Sequence, residues 1–428
     1  MTTLATAPTA IEVTEARGRR AYSAGVMTLV GLYAVVAFGL GSRTGGHARA
    51  TFGFNLLGGG AVKVPDLAVP AAPTAVALGA VCAALGVVRL AVRLGRRGRI
   101  LTTAGYLACF VAAFLVWATA GQNLNFASVL SATVLAAVPL VLGALCGVMC
   151  ERSGVINVAI EGQLLFGACA AAFTASVTGS LWAGLVAGCL AGALLGALLA
   201  VFANRYLVQQ VVLGVVLNLL AAGVTGFLYE EVLQPNAGDY NKALAFSDIR
   251  IPGLASLPVV GPVLFDQNVI FYITIVLIAV VQVALFRTRW GLRSRAVGEH
   301  PTAADTVGIR VLATRYRNVI AAGLLSGLGG VWLTIGLNIP FNKGMSAGQG
   351  FIALAAVIFG RWSPVGALSA ALLFGFAQGI STSLQPLNTP VPTDFLSMTP
   401  YLATIFAVAG LVGAVRAPAA EGQPYTKQ

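Results

Sequence analysis

The chain has 428 residues, of which 58% are hydrophobic and only 9% are charged, and its mean hydropathy is +0.87. Apolar runs of roughly twenty residues, the length that crosses a bilayer as a helix, recur along it. This composition excludes a soluble globular core and predicts an all-α polytopic membrane protein. The net charge of +12 does not predict a nucleic-acid partner, because the basic residues flank the apolar runs, as in proteins whose Lys and Arg orient membrane helices.

The apolar runs predict about twelve transmembrane helices, with the lipid bilayer as the partner of their outer faces. In chain order the predicted spans are 22–40, 72–92, 100–119, 128–149, 159–178, 181–202, 206–228, 269–286, 318–337, 349–360, 365–382 and 398–415. Within the sixth span, "GCLAGALLGALLA" has the small-residue spacing that lets membrane helices approach closely. A general bias towards Ala and Gly is the alternative explanation of that string.

Lys and Arg predict the sidedness, because they concentrate on the cytoplasmic side of membrane proteins. With residues 1–21 interpreted as a disordered cytoplasmic tail, the basic loop 287–317 and the tail 416–428 fall inside, and the acidic loop 229–268 falls outside. Loop 41–71 is an exception, since it falls outside with more basic than acidic residues. Both termini are therefore predicted to be cytoplasmic.

The run at 349–360 is too short for a full crossing at 1.5 Å per residue, which predicts a broken or re-entrant span buried among other helices. "GQLLFGACAAAF" followed by span 181–202 is similar to "GQGFIALAAVIF" followed by span 365–382. With the predicted sidedness the two pairs cross in opposite directions. The sequence thus predicts an inverted repeat, an architecture common in transporters, with chance similarity between two Gly- and Ala-rich stretches as the alternative.

Loop 287–317, called the coupling loop below, is the largest predicted inside loop and carries seven arginines. Pro301 suits the first turn of a helix, and Gly308 suits the left-handed residue that ends one. The two turns between them place Ala303, Ala304 and Val307 on one face. A short helix with a small-residue face between basic flanks predicts a docking element for another protein, and an ordinary solvated loop is the alternative.

Four stretches carry a resemblance to a known family. They are "ERSGVINVAIEGQLLFGA" (151–168), "QQVVLGVVLNLLAAGVTGFL" (209–228), "GLRSRAVGEHPTAADTVGIRV" (291–311) and "GMSAGQGFIALAAVIFGRWSPVGALSAALLFGF" (344–376). Together they resemble the permease subunits of bacterial ABC importers, in the branch that handles simple sugars, branched-chain amino acids and nucleosides. "SGVINVAIEG" is typical of the nucleoside-type permeases, whereas ribose-type permeases usually carry an Asp-Leu-Ser run at that place.

The resemblance implies a permease core at 128–415, preceded by N-terminal spans at 22–127 that lie partly outside the match. It implies import of a nucleoside or a related small neutral solute across the bacterial plasma membrane. The implied partners are a cytoplasmic ABC ATPase subunit, a second permease subunit that is homologous or identical, and an external substrate-binding protein. The implied contact surface for the ATPase is formed by Gly298, Glu299, Pro301, Ala304 and Gly308.

The chain is not predicted to be an enzyme. The phosphate-binding string G-x-x-x-x-G-K-[ST] is absent from the sequence, so ATP hydrolysis is assigned to a partner. His47 and His300 fall in predicted loops and the six cysteines fall in apolar runs, so no catalytic cluster, metal or cofactor is predicted. One alternative is an ion-coupled secondary transporter, for which Glu161 is the acidic candidate. A permease for a simple sugar such as ribose is the other. Glu161 lies within a turn of the predicted cytoplasmic end, where solvation or helix capping is its structural alternative.

A neutral polar solute requires hydrogen-bonding groups and aromatic surface without fixed charge. Asn218 lies mid-span, where its amide must face a partner or a cavity, and an interhelical hydrogen bond is the structural alternative. The polar segment 338–349 predicts an external gate, although a plain outside loop has the same composition. Gln209 and Gln210 begin a span and are exit candidates. The predicted substrate-path residues are Asn218, Asn338, Phe341, Asn342, Gln349 and Gln378, with Phe351 beside them.

Overall fold

A computed structural model describes residues 10–40, 48–56, 63–387, 389, 391–406 and 416–427. Within this part of the chain, ten helices are long and apolar enough to cross a membrane, and one apolar helix is shorter. The helices are α1 (Ala10–Ala34, continued by the π-helical Val35–Leu40), α2 (Ala71–Ala91), α3 (Arg96–Ala118), α4 (Phe126–Glu151), α5 (Ile160–Thr178), α6 (Leu181–Asn204), α7 (Gln210–Leu228, continued by the π-helical Tyr229–Leu233), α8 (Ala237–Tyr240), α9 (Val260–Leu264), α10 (Val269–Arg287), α11 (Arg289–Glu299), α12 (Pro301–Thr306), α13 (Val311–Val331, continued by the π-helical Trp332–Gly336), α14 (Gln349–Phe359), α15 (Pro364–Leu384) and α16 (Thr393–Phe406).

These helices confirm the predicted all-α polytopic membrane fold. Ten of the predicted spans correspond to full-length helices, and the short predicted span corresponds to the eleven-residue α14. The last predicted span begins within α16, and its residues 407–415 lie outside the described residues.

Three predicted boundaries were wrong. The tail 1–21 was predicted to be disordered, but α1 begins at Ala10, because the intervening Ala, Glu and Arg favour a helix that continues into the first span; residues 1–9 lie outside the described residues. The coupling loop ends at residue 310 rather than 317, since α13 begins at Val311. Arg315 lies inside α13 and is buried. Its guanidinium is tolerated there because Nε donates to the Ser153 carbonyl oxygen at 3.2 Å. Span 206–228 starts later, at Gln210, because Gln209 caps α7.

The chain forms two compact units. The first contains α1–α3 and the strands β1 (Arg49–Gly53), β2 (Leu67–Pro70) and β3 (Asn123–Asn125). β1 pairs antiparallel with β2 and parallel with β3, so residues 49–53 and 67–70 of the predicted loop 41–71 contribute to a small sheet. The aromatic ring of Phe38 packs against Phe110, Phe114 and Trp117 of α3.

The second unit contains residues 128–382, which run from α4 to α15, and the described C-terminal residues 416–427. Its one strand pair is antiparallel, between β4 (Asp248–Arg250) and β5 (Asp266–Asn268), in the loop before α10. The unit is built around α5, α6 and α13, whose small residues face one another. The glycine run of α6 packs directly on the backbone of α13, which confirms its predicted role in close helix approach.

The two faces of α6 show why this glycine spacing is needed. A Cβ atom on Gly192 would lie 2.4 Å from the Gly323 carbonyl oxygen, and one on Gly188 would lie 2.4 Å from Val331 Cγ2. On the opposite face, Leu190 and Leu194 are more than half exposed, as expected of side chains that contact lipid. The glycines therefore bring the two helices into backbone contact while the leucines face the bilayer.

Replacing Gly192 by Leu is expected to lower the thermal unfolding midpoint of the detergent-purified protein. The new side chain would overlap the α13 backbone, and overpacking of this kind costs roughly 1–3 kcal/mol or more. Gly223→Leu in α7 is the matched control, because nothing lies within 4 Å of its Cβ position. Equal unfolding midpoints for the two variants would contradict the packing described here.

Candidate translocation and coupling sites

Two helices of the second unit begin inside the protein, each after an irregular segment. Segment 152–159 joins α4 to α5, and segment 337–348 joins α13 to α14. Irregular backbone at membrane depth is tolerated only where protein groups satisfy it or where it lines a cavity. Both segments are therefore expected to bind neighbouring side chains or to line a cavity.

The two helices that follow these segments run in opposite directions. α14 runs in the same direction as α4, because Ala353 lies beside Gly143 and Val357, one turn on, lies beside Gly147. The two strings that predicted an inverted repeat begin at the first turns of α5 and α14.

α5 runs against α4, as its first two turns show. Ile160 packs beside Gly147 of α4, whereas Leu164, one turn on, packs with Leu142 around Gly329 of α13. Increasing residue numbers along α5 thus lie beside decreasing residue numbers along α4, so the two helices are antiparallel. The opposite directions of α5 and α14 agree with the predicted inverted repeat.

The carboxylate of Glu161 links the two helix starts. Its Oε1 accepts hydrogen bonds from Ser346 Oγ at 2.6 Å and from the Gly348 N–H at 2.8 Å, and its Oε2 accepts from the Gly350 N–H at 2.7 Å. Glu161 lies in the first turn of α5, so one negative charge faces the positive N-terminal ends of both α5 and α14. A Cβ atom on Gly350 would lie 2.4 Å from the Glu161 backbone nitrogen, so this approach requires glycine.

Asn218 and Gln210 of α7 hold segment 152–159 in place. Asn218 Nδ2 donates to the Val158 carbonyl oxygen at 2.9 Å, and its Oδ1 accepts from the Gly162 N–H at 2.8 Å. Gln210 Oε1 accepts from the Ile156 N–H at 2.7 Å. Both side chains were predicted to line the substrate path or its exit. In the structure both ends of the Asn218 amide bind the chain itself, which is the arrangement that its structural alternative describes.

Segment 337–348 combines one buried anchor with exposed polar residues. Phe341 is fully buried, and its N–H and carbonyl oxygen both bind the side-chain amide of Asn241, at 2.7 and 2.9 Å. Phe341 was predicted to line the path, and in this structure it anchors the segment. Asn338, in a left-handed conformation with φ of 57°, and Asn342 are exposed.

Gln349, Phe351 and Gln378 differ in their surroundings. Gln349 begins α14, and its Oε1 is buried without a hydrogen-bond partner within the described part of the chain. Phe351 is 50% exposed, and Gln378 is half-buried in α15. An unpaired buried amide oxygen is costly unless another molecule supplies a donor. Gln349 is thus the predicted path residue whose geometry most favours contact with a solute.

The coupling loop contains the predicted short helix. Pro301 is the first residue of α12, and Gly308 ends its last turn with φ of 83° and an N–H that donates to the Asp305 carbonyl oxygen at 2.9 Å. Ala303, Ala304 and Val307 were predicted to share one face, but the structure separates Ala304 from the other two. Ala304 is only 3% exposed because it packs inward, whereas Val307 is 75% exposed. The outward face of α12 is formed by Thr302, Ala303, Thr306 and Val307.

Gly298 and Glu299 connect the coupling loop to segment 152–159. A Cβ atom on Gly298 would lie 2.3 Å from the Arg152 carbonyl oxygen, so α11 ends in direct backbone contact with this segment. Burial lowers the pKa of the Arg152 guanidinium, and the nearby Glu299 carboxylate opposes that shift. Arg152 Nε also donates to the Trp362 carbonyl oxygen at 2.8 Å, just beyond α14.

Sequence reasoning did not find two structural features. Glu161 was interpreted as a possible ion-coupling group or as a solvated or helix-capping residue, but the partners of its carboxylate lie 185 or more positions away and were not predicted. The C-terminal residues 416–427 pack against the coupling loop, although their sequence was interpreted as a plain tail. The Pro and Gly of "APAAEGQPY" are typical of a turn, and they are the available sequence signal.

The fold and these sites define a multi-pass membrane permease. Residues 129–415 match the family described as "Branched-chain amino acid transport system / permease component", and the chain belongs to this family. It is 42% identical to the guanosine ABC transporter permease protein NupQ of Bacillus subtilis, over 70% of this chain and 96% of the relative. It is 36% identical to the nucleoside ABC transporter permease protein NupC of Lactococcus lactis, over 68% of this chain and 93% of the relative.

A third relative has another substrate in its name. The chain is 33% identical to the putative glucose ABC transporter permease protein TsgC13 of Haloferax volcanii, over 65% of this chain and 90% of the relative. No solved structure matches the chain.

Replacing Glu161 by Gln is expected to destabilise the α5–α14 junction and to reduce transport. The amide removes the charge and presents two N–H donors to a site that already contains backbone donors. Hydrogen bonds to a charged group contribute about 1.5–3 kcal/mol, so we expect a loss of roughly 2 kcal/mol in the free energy of unfolding. Glu231→Gln, at an exposed position, is the control. A Glu161→Gln variant with the unfolding midpoint and uptake rate of the control would refute the assigned role.

Proposed function

We propose that this chain is the permease subunit of an ATP-binding cassette importer that moves nucleosides or a related small neutral solute. The observation that carries the proposal is the similarity to two nucleoside-type permeases over more than nine-tenths of their length. The broken-helix junction around Glu161 supports it, because transporters place solute sites at such discontinuous helices. The permease core is assigned to residues 128–415.

The direction and sidedness are part of the proposal. Both termini and the coupling loop are assigned to the cytoplasmic side of a bacterial plasma membrane, because arginines concentrate there. An external substrate-binding protein then delivers solute on the opposite side, to residues 229–268 and 338–349. Asn338, Asn342, Gln349 and Gln378 are assigned to the path, and Gln349 is favoured by its buried Oε1, which has no hydrogen-bond partner within the described part of the chain.

ATP is assigned to a separate ABC ATPase subunit that binds the coupling loop. The contact surface is formed by α12 with Gly298, Glu299, Pro301 and Gly308 at its borders. Ala304 acts from beneath this surface. Thr302, Thr306 and Val307 supply the side chains that reach the partner.

The second permease subunit is assigned to a homologous chain rather than to a second copy. Bacillus subtilis and Lactococcus lactis each have two permease proteins with a shared name stem among the relatives. The chain is 42% and 36% identical to one of each pair, but only 23% and 25% identical to the other. This division supports one subunit of this type beside one of the more distant type.

The test is purification of the tagged chain from native membranes in mild detergent, with uptake measured in parallel. We expect an ATP-hydrolysing subunit and a second permease to copurify, and labelled guanosine to be taken up in preference to ribose or glucose. Recovery of the chain alone, with uptake that follows a sodium or proton gradient, would support an ion-coupled secondary transporter instead. Preference for glucose or ribose would support a sugar permease instead.

Replacing the exposed Val307 by Asp is expected to reduce ATPase copurification about tenfold or more, since it places a charge in the centre of the proposed contact. Leu257→Asp, at an exposed apolar residue in the opposite loop, is the matched control. Ala304→Glu is a poorer test because it would bury a carboxylate and disturb α12 itself. Equal ATPase recovery from Val307→Asp and Leu257→Asp would remove α12 from the contact.

A further inference from the structure

The C-terminal residues 416–427, called the C-terminal strap below, fold back onto the coupling loop. Four hydrogen bonds tie the strap to segment 152–159, to the end of α11 and to the start of α13. They are Ala420 N–H to the Gly298 carbonyl oxygen at 2.9 Å, Ala419 N–H to Glu299 Oε2 at 3.2 Å, Gly422 N–H to the Gly154 carbonyl oxygen at 3.2 Å, and Arg315 Nη1 to the Gln423 carbonyl oxygen at 3.0 Å.

Tyr425 anchors the strap beneath α12. It is 7% exposed and packs in one cluster with Ala304, Val297 and Val311. A small residue at position 304 therefore leaves space for the strap. The strap lies on the inward side of α12 and supports this helix.

A polar cleft of about 400 Å³ lies between the strap and the coupling loop. One wall is formed by residues 299–302, at the end of α11 and the start of α12, and the other by residues of the strap between 419 and 426. The side chains of Thr302 and Thr426 are exposed on the two walls. The cleft is continuous with the outward face of α12, since Thr302 belongs to both.

We propose that the C-terminal strap is the second half of the ATPase docking surface, and that a polar loop of the ATPase subunit enters the cleft between residues 299–302 and the strap. This inference rests on the proposed function, because it takes the ATPase as the occupant. A partner that covers α12 also covers the mouth of the cleft. The hydrogen-bonding side chains of both walls select a polar loop rather than an apolar helix.

The test fills the cleft without removing the strap. The chain, tagged at its N-terminus and coexpressed with its ATPase and permease partners, is compared as wild type, Thr426→Trp and Lys427→Trp. Thr426 lines the cleft, whereas the adjacent Lys427, which is also exposed, does not. The two variants therefore place the same indole side chain inside and outside the cleft. We expect Thr426→Trp to lower ATPase recovery and ATP-dependent uptake about tenfold or more, with Lys427→Trp near wild type.

A second pair of variants separates docking from folding. Thr302→Trp fills the cleft from the opposite wall and is expected to reproduce the loss, while a stop codon in place of Arg416 removes the strap. Each variant is checked for a monodisperse elution profile in detergent. Wild-type ATPase recovery with Thr426→Trp, Thr302→Trp and the truncation would overturn the inference. A wild-type chain that recovers no ATPase would instead overturn the proposed function.

Discussion

The hydrogen bonds of the Glu161 carboxylate are the constraint on which the rest of the permease core depends. Two helices begin at the same depth and point their positive ends towards each other, which is unfavourable without a negative charge between them. Glu161 supplies that charge and also accepts three hydrogen bonds from the start of α14. Gly350 permits the approach, because a side chain there would overlap the Glu161 backbone. A broken helix thus becomes a defined structural element of the membrane interior.

The irregular segments beside this junction explain why several polar residues have a structural role. Unpaired backbone groups at membrane depth are costly, so neighbouring side chains must bind them. Asn218 and Gln210 satisfy segment 152–159, and Asn241 satisfies segment 337–348 at Phe341. Once these amides are assigned to the backbone, the buried and unpaired Oε1 of Gln349 remains as a group that lacks a partner in the described residues.

The sequence predicts the elements that depend on local composition and fails where distant residues decide. Bilayer thickness fixes the length of an apolar run, so the spans and the short α14 were predictable, and Pro301 and Gly308 marked the ends of α12 through their own backbone preferences. The inward orientation of Ala304 was not predictable, because it depends on Tyr425, more than a hundred residues later. The partners of the Glu161 carboxylate were not predictable for the same reason, since Ser346 and Gly350 are distant in sequence.

Direct contacts link the coupling loop to both ends of α14. α14 is eleven residues long, about 16 Å, and the stretch from Glu151 to Glu161 contacts both of its ends. Glu161 binds its first turn, while Glu151 and Arg152 bind Trp362 just beyond its last turn. Gly298 of the coupling loop rests directly on Arg152. Gly298, residues 151–161 and α14 are thus joined by consecutive contacts, and Gln349 is the first residue of the helix that these contacts fix at both ends.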